Sequence, residues 1–160
     1  MTESDRQLVH ERLESELIVL WRRLRSMAIV LTRQIDDSLE AATYGLLGAF
    51  LDAGDVRAGD LAEQFGLDKS TVSRQVAQLE SLGLVERVTD PADKRARLIR
   101  ITETGRERVN RLRAARARWI MAALQPWSAG DVDRLGDLLA QLNASLGAEL
   151  AKHRAGPPAG

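Results

Sequence analysis

Two groups of side chains between Asp68 and Arg100 have the types and spacing to hold a polyanion. The first lies on a helix-forming stretch, KSTVSRQVAQLES. With Val72 at the centre of a helical wheel, Val76, Leu79 and Gly83 cluster beside it and form the face to be buried. The other face carries Ser70, Arg74, Ala77 and Ser81, flanked by Lys69, Thr71, Ser73 and Gln78. Small side chains let a helix backbone sink into a major groove about 12 Å wide. A guanidinium such as that of Arg74 suits a guanine edge or a phosphate, and Ser, Thr and Gln can bond to either. The positive end of the helix dipole also favours phosphate near Lys69. The second group follows at once. DPADKRARLIR puts Lys94, Arg95, Arg97 and Arg100 on a ribbon between two short apolar stretches. Such a ribbon can track a phosphate backbone and place a guanidinium in a narrow minor groove. A solvated helix face would explain the serines as well; the basic ribbon behind them favours DNA.

The formal net charge is zero, which argues against a nucleic-acid partner until its placement is considered. Residues 1–56 hold six basic and ten acidic side chains, residues 57–118 hold fourteen and nine, and residues 119–160 hold three and four. The middle segment is a basic block between acidic ones, and charge placement matters more than the total for a polyanion.

The elements that must position these groups are mostly helices. Leu13, Leu17, Leu20, Leu24, Met27 and Leu31 follow a 4-3-4-3-4 spacing, the seam of a long helix. QIDDS breaks it, and Ser38 or Asp37 can cap a second, unusually apolar helix over about Leu39 to Asp52, which Gly54 stops. A short extended piece and a short helix ending at Gly66 follow. Asp68 caps the helix quoted above and Gly83 ends it. LVERVT and ARLIRIT are short strands joined by a loop at Pro91. Thr102 or Glu103 opens another long helix to about Leu124, and Ser128 caps a last one. Leu139, Leu142 and Leu146 lie on one side of that last helix. Residues 151–160 read as a disordered Gly/Pro-rich tail. The order is helix, helix, short strand, helix, helix, hairpin, helix, helix. The fold class expected is mainly α with a small β-hairpin wing, a winged helix-turn-helix over residues 55–102 within one domain.

Enzyme chemistry finds little support. His10 and His153 are the only histidines, no Ser or Asp is placed to make a triad with them, and no Gly-rich phosphate loop occurs. His10 and Glu14 stand at i, i+4 without further clustered ligands, so no metal site and no cofactor are expected. The chain has no Cys, which excludes a disulfide framework or thiol switch. It has no run of 18 apolar residues and a highly charged start, so no membrane span or secretory signal is expected, and the cytoplasm is the default compartment.

DLAEQFGLDKSTVSRQVAQLESLGLVERVTDPADKRARLIRITETGRERV resembles the DNA-binding lobe of the MarR family of bacterial transcriptional regulators. STVSRQVAQLE, DPADKRA and ITETGRE carry the resemblance together, and the long flanking helices extend it over about residues 5–150. It implies a triangular homodimer with residues 5–36 and 103–150 as dimerisation helices. It makes Arg95 the wing-tip arginine and Asp93 the residue that braces the wing, with Lys94 where many relatives carry Arg. The start of the second helix, DDSLEAATYG, departs from the Thr-x-x-Gln pattern of many relatives. The two leucine seams fit that dimer, which would engage half-sites about 10 bp apart on a pseudo-palindromic operator. Trp21, Trp119 and Trp127 are expected in the core or at the interface. In the implied fold, Trp21 and Arg25 lie near Tyr44 and Phe50, a composition suited to a small aromatic or anionic effector that would release a repressor from double-stranded DNA. A winged helix used for protein–protein contact and a ligand-independent DNA-binding protein are the alternatives. The four basic residues on the wing are what an interaction module would not need.

Overall fold

The computed structural model describes residues 3–154. Six helices and one hairpin follow in order: α1 Glu3–Ile35, α2 Ala41–Ala53, α3 Ala58–Phe65, α4 Lys69–Ser81, β1 Val85–Thr89, β2 Arg97–Ile101, α5 Glu103–Leu124 and α6 Ala129–Arg154. This is a winged helix-turn-helix flanked by long helices. The chain divides between Ala117 and Arg118 into two compact units.

In the first unit, the apolar α2 lies in the core as its composition requires. Leu47 and Phe50 are fully buried, in one cluster with Leu61 of α3, Val72, Val76 and Leu79 of α4, Leu84 just before β1, and Ile99 of β2. Truncating such a side chain to Ala costs about 2–5 kcal/mol. Helix α1 joins this core only near its end, where Met27, Leu31 and Thr32 are buried. Leu13, Leu20 and Leu24, upstream on the same seam, are exposed on the single chain, and Leu17 is half-buried.

Two sequence expectations shift here. Helix α2 begins at Ala41, after an N-cap at Glu40 that makes no side-chain cap, so neither Asp37 nor Ser38 caps it. The cause is Asp36. Its carboxylate accepts the Ser38 amide at 3.0 Å and the Tyr44 hydroxyl at 3.0 Å, and it pairs with Arg108 of α5. That node fixes a turn through residue 38 and delays the helix. At the other end, residues 151–154 continue α6 and are not a disordered tail, while residues 155–160 lie outside the described residues.

The hairpin pairs antiparallel, Val85 with Ile101 through Thr89 with Arg97. The extended piece before α3 contributes one bridge, Val56 to Ile99, with backbone bonds of 2.8 and 3.2 Å. Where α4 meets the hairpin, Gly83 takes φ of 66°, a left-handed conformation that favours glycine. The Leu84 carbonyl then accepts the Thr102 amide at 3.0 Å, and the Thr102 hydroxyl donates to the Gly83 carbonyl at 2.7 Å. The same hydroxyl accepts the Gly105 amide at 3.1 Å and so caps α5.

In the second unit, α6 is capped as its sequence predicts, with the Asp131 amide donating to Ser128 Oγ at 3.1 Å. Leu139 and Leu146 are exposed and Leu142 is half-buried. The three tryptophans do not lie in the core of the single chain: Trp21, Trp119 and Trp127 are each about half exposed or more, which leaves an interface as their remaining expected place.

Of the described glycines, Gly105 is the most closely packed. A Cβ there would stand 2.1 Å from the Leu84 carbonyl oxygen and 2.9 Å from Ile101 Cγ1. Since the obstacle is backbone, Gly105→Ala is expected to destabilise the protein by about 1–3 kcal/mol or more. Urea unfolding followed by circular dichroism measures this, and a midpoint equal to that of the wild type would refute the packing.

Candidate nucleic-acid interface

Helix α4 forms where the sequence placed it because both of its ends are chemically specified. Asp68 accepts the Thr71 amide at 2.7 Å, and the Ser70 hydroxyl donates to the same oxygen at 2.5 Å. Bonds from Ser70 first, then from Thr71, hold the Asp68 carboxyl well below the usual carboxylate range. Val72, Val76 and Leu79 are buried, and Lys69, Ser70, Ser73, Arg74 and Gln78 are exposed, with Thr71 half-buried between them. Ser70 therefore spends its hydrogen on the cap and is left to accept. No hydrogen bond or ion pair engages the side chains of Lys69, Ser73, Arg74 or Gln78 among the described residues.

The wing is held from below. Asp90, buried at the end of β1, accepts from Arg57 at 2.7 Å and from the Ala92 amide at 2.8 Å. Its own amide donates to the Ala96 carbonyl at 3.2 Å. Asp93 sits in the turn, where its side chain accepts the Arg95 amide at 3.0 Å and its carbonyl the Ala96 amide at 2.8 Å. Arg57 reaches Asp93 only at 4.0 Å. Two carboxylates thus share the wing turn, and the sequence pointed to Asp93 alone. Asp90 gave no local signal, because its partner is 33 residues away. Lys94 and Arg95 are exposed at the turn with no side-chain partner among the described residues.

The other basic residues of the ribbon differ. Arg97 bonds across the strands to the Thr89 hydroxyl. Arg100, grouped with the wing cations by sequence, pairs with Asp55 at 2.9 Å and fastens the connector before α3 to β2. Arg87 pairs with Glu80 at 3.0 Å and ties β1 to α4.

The residues expected around a ligand fall into two pairs. Phe50 is fully buried and Tyr44 is 3% exposed, both within the core, with the Tyr44 hydroxyl committed to Asp36. Burial and that bond push the Tyr44 hydroxyl up to about 12. Trp21 is exposed, with the Arg25 guanidinium 5.7 Å from its ring centre. A cavity of about 850 Å³ lies elsewhere, bounded by Arg25, Ile29, Thr32 and Arg33 of α1, the turn and first residues of α2, and Gln78 of α4. Of the four expected residues, only Arg25 lines it. Thr32 in its wall is 2% exposed, and its hydroxyl oxygen has no hydrogen-bond partner among the described residues.

Four depressed carboxylates, Asp68 among them, set an acid limit. Arg57, then Ala92, lowers Asp90; Arg100 lowers Asp55. Burial raises Asp36, but bonds from Ser38 and Tyr44 and the charge of Arg108 outweigh it, leaving it lowered too. A carboxylate lowered on folding stabilises above its unfolded pKa, near 4, and loses that contribution as pH falls through the folded value. Stability is therefore expected to hold between about pH 5 and 8 and to fall below about pH 4. Urea midpoints measured against pH test this, and Asp90→Asn should flatten part of the acid slope.

The MarR family model matches residues 38–96, the segment from the α1–α2 turn through the wing. An HTH-type transcriptional regulator of Bacillus subtilis, YxaD, is 34% identical over 136 residues, which cover 85% of this chain and 94% of that one. A second from the same organism, YdgJ, is 33% identical over 101 residues, covering 63% and 62%. Among solved structures, a MarR family protein from Bacillus stearothermophilus superposes with a TM-score of 0.72 at 25% identity, covering 86% of this chain and 97% of that one. The capped α4, the braced wing and these likenesses converge: the chain belongs to the MarR family of transcriptional regulators.

Proposed function

We propose that the chain acts as a homodimeric repressor that binds a pseudo-palindromic operator in double-stranded DNA and is released by a small ligand. One observation carries the DNA part. Lys69 and Arg74 on α4, and Lys94 and Arg95 on the wing, are exposed and have no ion-pair partner among the described residues. Their neighbours Arg57, Arg87 and Arg100 are committed to carboxylates of the same chain. The uncommitted cations stand on the two elements that fit adjacent grooves. In this reading α4 enters the major groove, with Arg74 and Gln78 at base edges, Lys69, Thr71 and Ser73 at phosphates or bases, and Ser70 accepting from a base amine. Lys94, Arg95 and Arg97 follow the backbone toward the minor groove, with Asp93 bracing the turn they leave from.

Exposed leucines support the dimer. Leu13, Leu20 and Leu24 on α1, and Leu139 and Leu146 on α6, exceed what an isolated chain would leave in water, with Leu17 and Leu142 half-covered beside them. Two reading helices on one frame would engage half-sites about one DNA turn apart. The cavity beside Arg25 supports ligand release, since its volume suits a small molecule.

Fragments of the source genome retained by the purified protein would supply the operator for mobility shifts at graded salt. Binding that falls steeply with salt is expected; no retained fragment, or salt-independent binding, would overturn the DNA reading. Arg74→Ala should cost about 1–3 kcal/mol and relax preference at one or two base pairs. Arg95→Ala should weaken all sequences alike and flatten the salt dependence.

Leu24→Glu should shift the protein toward monomer in light scattering at micromolar concentration, because a carboxylate in an apolar seam costs several kcal/mol. It should abolish operator binding with the winged helix still folded. A wild type that is already monomeric would sink the dimer.

A further inference from the structure

The dipeptide Asp-Lys occurs twice in the chain, once on each of the two elements that the proposed function turns toward DNA. Asp68 and Lys69 open α4, and Asp93 and Lys94 lie in the wing turn. Both carboxylates are fixed by backbone. Asp68 accepts the Thr71 amide at 2.7 Å, and Asp93 accepts the Arg95 amide at 3.0 Å. Both are exposed, so each holds a negative charge where a phosphate backbone would pass. Arg57 comes within 4.0 Å of Asp93 but is already paired with Asp90 at 2.7 Å. The lysine beside each aspartate offsets its charge, and neither lysine has an ion-pair partner among the described residues. At the first residue of a helix, Lys69 also opposes the helix dipole, so α4 itself gains nothing from a cation there.

The amine sets these two residues apart from the cations around them. Lysine is scarce here, only three of the 23 Lys and Arg residues. A guanidinium stays protonated and is a poor nucleophile, whereas a lysine amine is nucleophilic once it loses its proton, and acylation removes its charge. The third lysine, Lys152, lies on α6 and is held by Glu149 at 2.6 Å. The residues open to acylation are therefore concentrated on the two elements where charge matters for DNA.

We propose that Lys69 and Lys94 are acylation sites, through which a small acyl phosphate or acyl thioester switches off DNA binding. The inference rests on the reading of α4 and the wing as the DNA-contacting elements. In the step, the neutral amine attacks the acyl carbon and a C–N bond forms. The bond from that carbon to the phosphate oxygen, or to the thiol sulfur, breaks. Phosphate or thiolate leaves with the electron pair, and the amine proton passes to water. The amide product is uncharged, and the aspartate beside it is left unbalanced. Each tip thus loses one positive charge and turns a fixed negative one toward the phosphates. Arg74 and Arg95 escape the reaction, so affinity falls in steps. A lysine seated on a phosphate stays protonated and covered. Operator-bound protein therefore resists acylation, and free protein is the form that is modified and kept off DNA.

Acetyl phosphate and acetyl coenzyme A are the probes, applied separately to the full-length protein with and without operator DNA. Peptide mass spectrometry should find Lys69 and Lys94 acetylated by one or both, which identifies the donor. Operator should slow both sites by about fivefold or more and leave Lys152 unaffected. Acetylated protein should bind operator about tenfold or more weakly, and the slope of log affinity against log salt should flatten by about 0.9 for each lysine charge lost. The double variant Lys69→Arg, Lys94→Arg should bind operator as the wild type does and keep that affinity after treatment. Lys69→Gln with Lys94→Gln should bind as weakly as acetylated protein, with its helix content unchanged in circular dichroism. Failure of both probes to modify either lysine would overturn the proposal, as would unchanged affinity at full acetylation of both. So would an equal loss of affinity in the treated arginine variant, or equal acetylation rates with and without operator. Protein isolated from its source cells grown on excess acetate should carry acetyl groups at Lys69 or Lys94, and their absence would overturn the regulatory role. Untreated protein that retains no genomic fragment sinks the DNA reading instead, because that measurement involves no acyl donor.

Discussion

One backbone junction orients everything that faces outward. At Gly83 and Leu84 the chain leaves α4, enters β1, receives the end of β2 through the Thr102 amide and admits the first turn of α5 at Gly105. Four elements meet within a few residues, and only hydrogen is tolerated at Cα of Gly105. The left-handed turn at Gly83 and the missing Cβ at Gly105 are one requirement seen from two sides. If the junction opened by an ångström, α4 and the wing would no longer be held in a fixed relation, and no arrangement of arginines would restore it.

Charge is sorted by this frame. The basic block of residues 57–118 looks undifferentiated in sequence, yet six of its arginines find carboxylates in the same chain: Arg57, Arg87, Arg100, Arg106, Arg108 and Arg113. Most of these pairs are partly exposed, so each adds little to stability on its own. Their larger effect is positional. Asp55 with Arg100 and Asp90 with Arg57 fasten the connector before α3 to the hairpin, while Asp52 with Arg113 and Asp36 with Arg108 fasten α2 and its turn to α5. The cations of this block without a carboxylate partner among the described residues are Lys69 and Arg74 on α4, Lys94, Arg95 and Arg97 at the hairpin, and Arg111, Arg116 and Arg118 on α5. A chain of zero net charge thus keeps uncommitted cations on α4 and the wing.

What was legible in the sequence is what local chemistry decides. Asp68, Gly54, Gly66 and Ser128 mark helix ends because their side chains, or lack of one, act within a turn of the chain. The apolar run of α2 and the alternation of the hairpin gave the core. Long-range contacts hid the rest. The start of α2 moved because Asp36 is claimed by Arg108, 72 residues on. Tyr44 and Phe50 looked like a ligand's neighbours, but the same apolar character that suggested a pocket takes them into the core. The cavity lies against a stripe of α1 from which the sequence offered Arg25 but neither Ile29 nor Thr32. A missing hydrogen bond such as that of Thr32 has no signature in one dimension.

Helix α1 holds two environments along one rigid rod. Its 33 residues span about 50 Å, and only the last turns, at Met27, Leu31 and Thr32, are buried against the lobe that carries α4. Upstream, the same heptad-like seam continues with Leu13, Leu20 and Leu24 uncovered. A seam that continues past its own lobe is energetically incomplete until something apolar covers it. In the proposed dimer that cover is the partner, and the cavity wall formed by Arg25 and Thr32 then lies on the rod between the partner's grip and the Asp36 node.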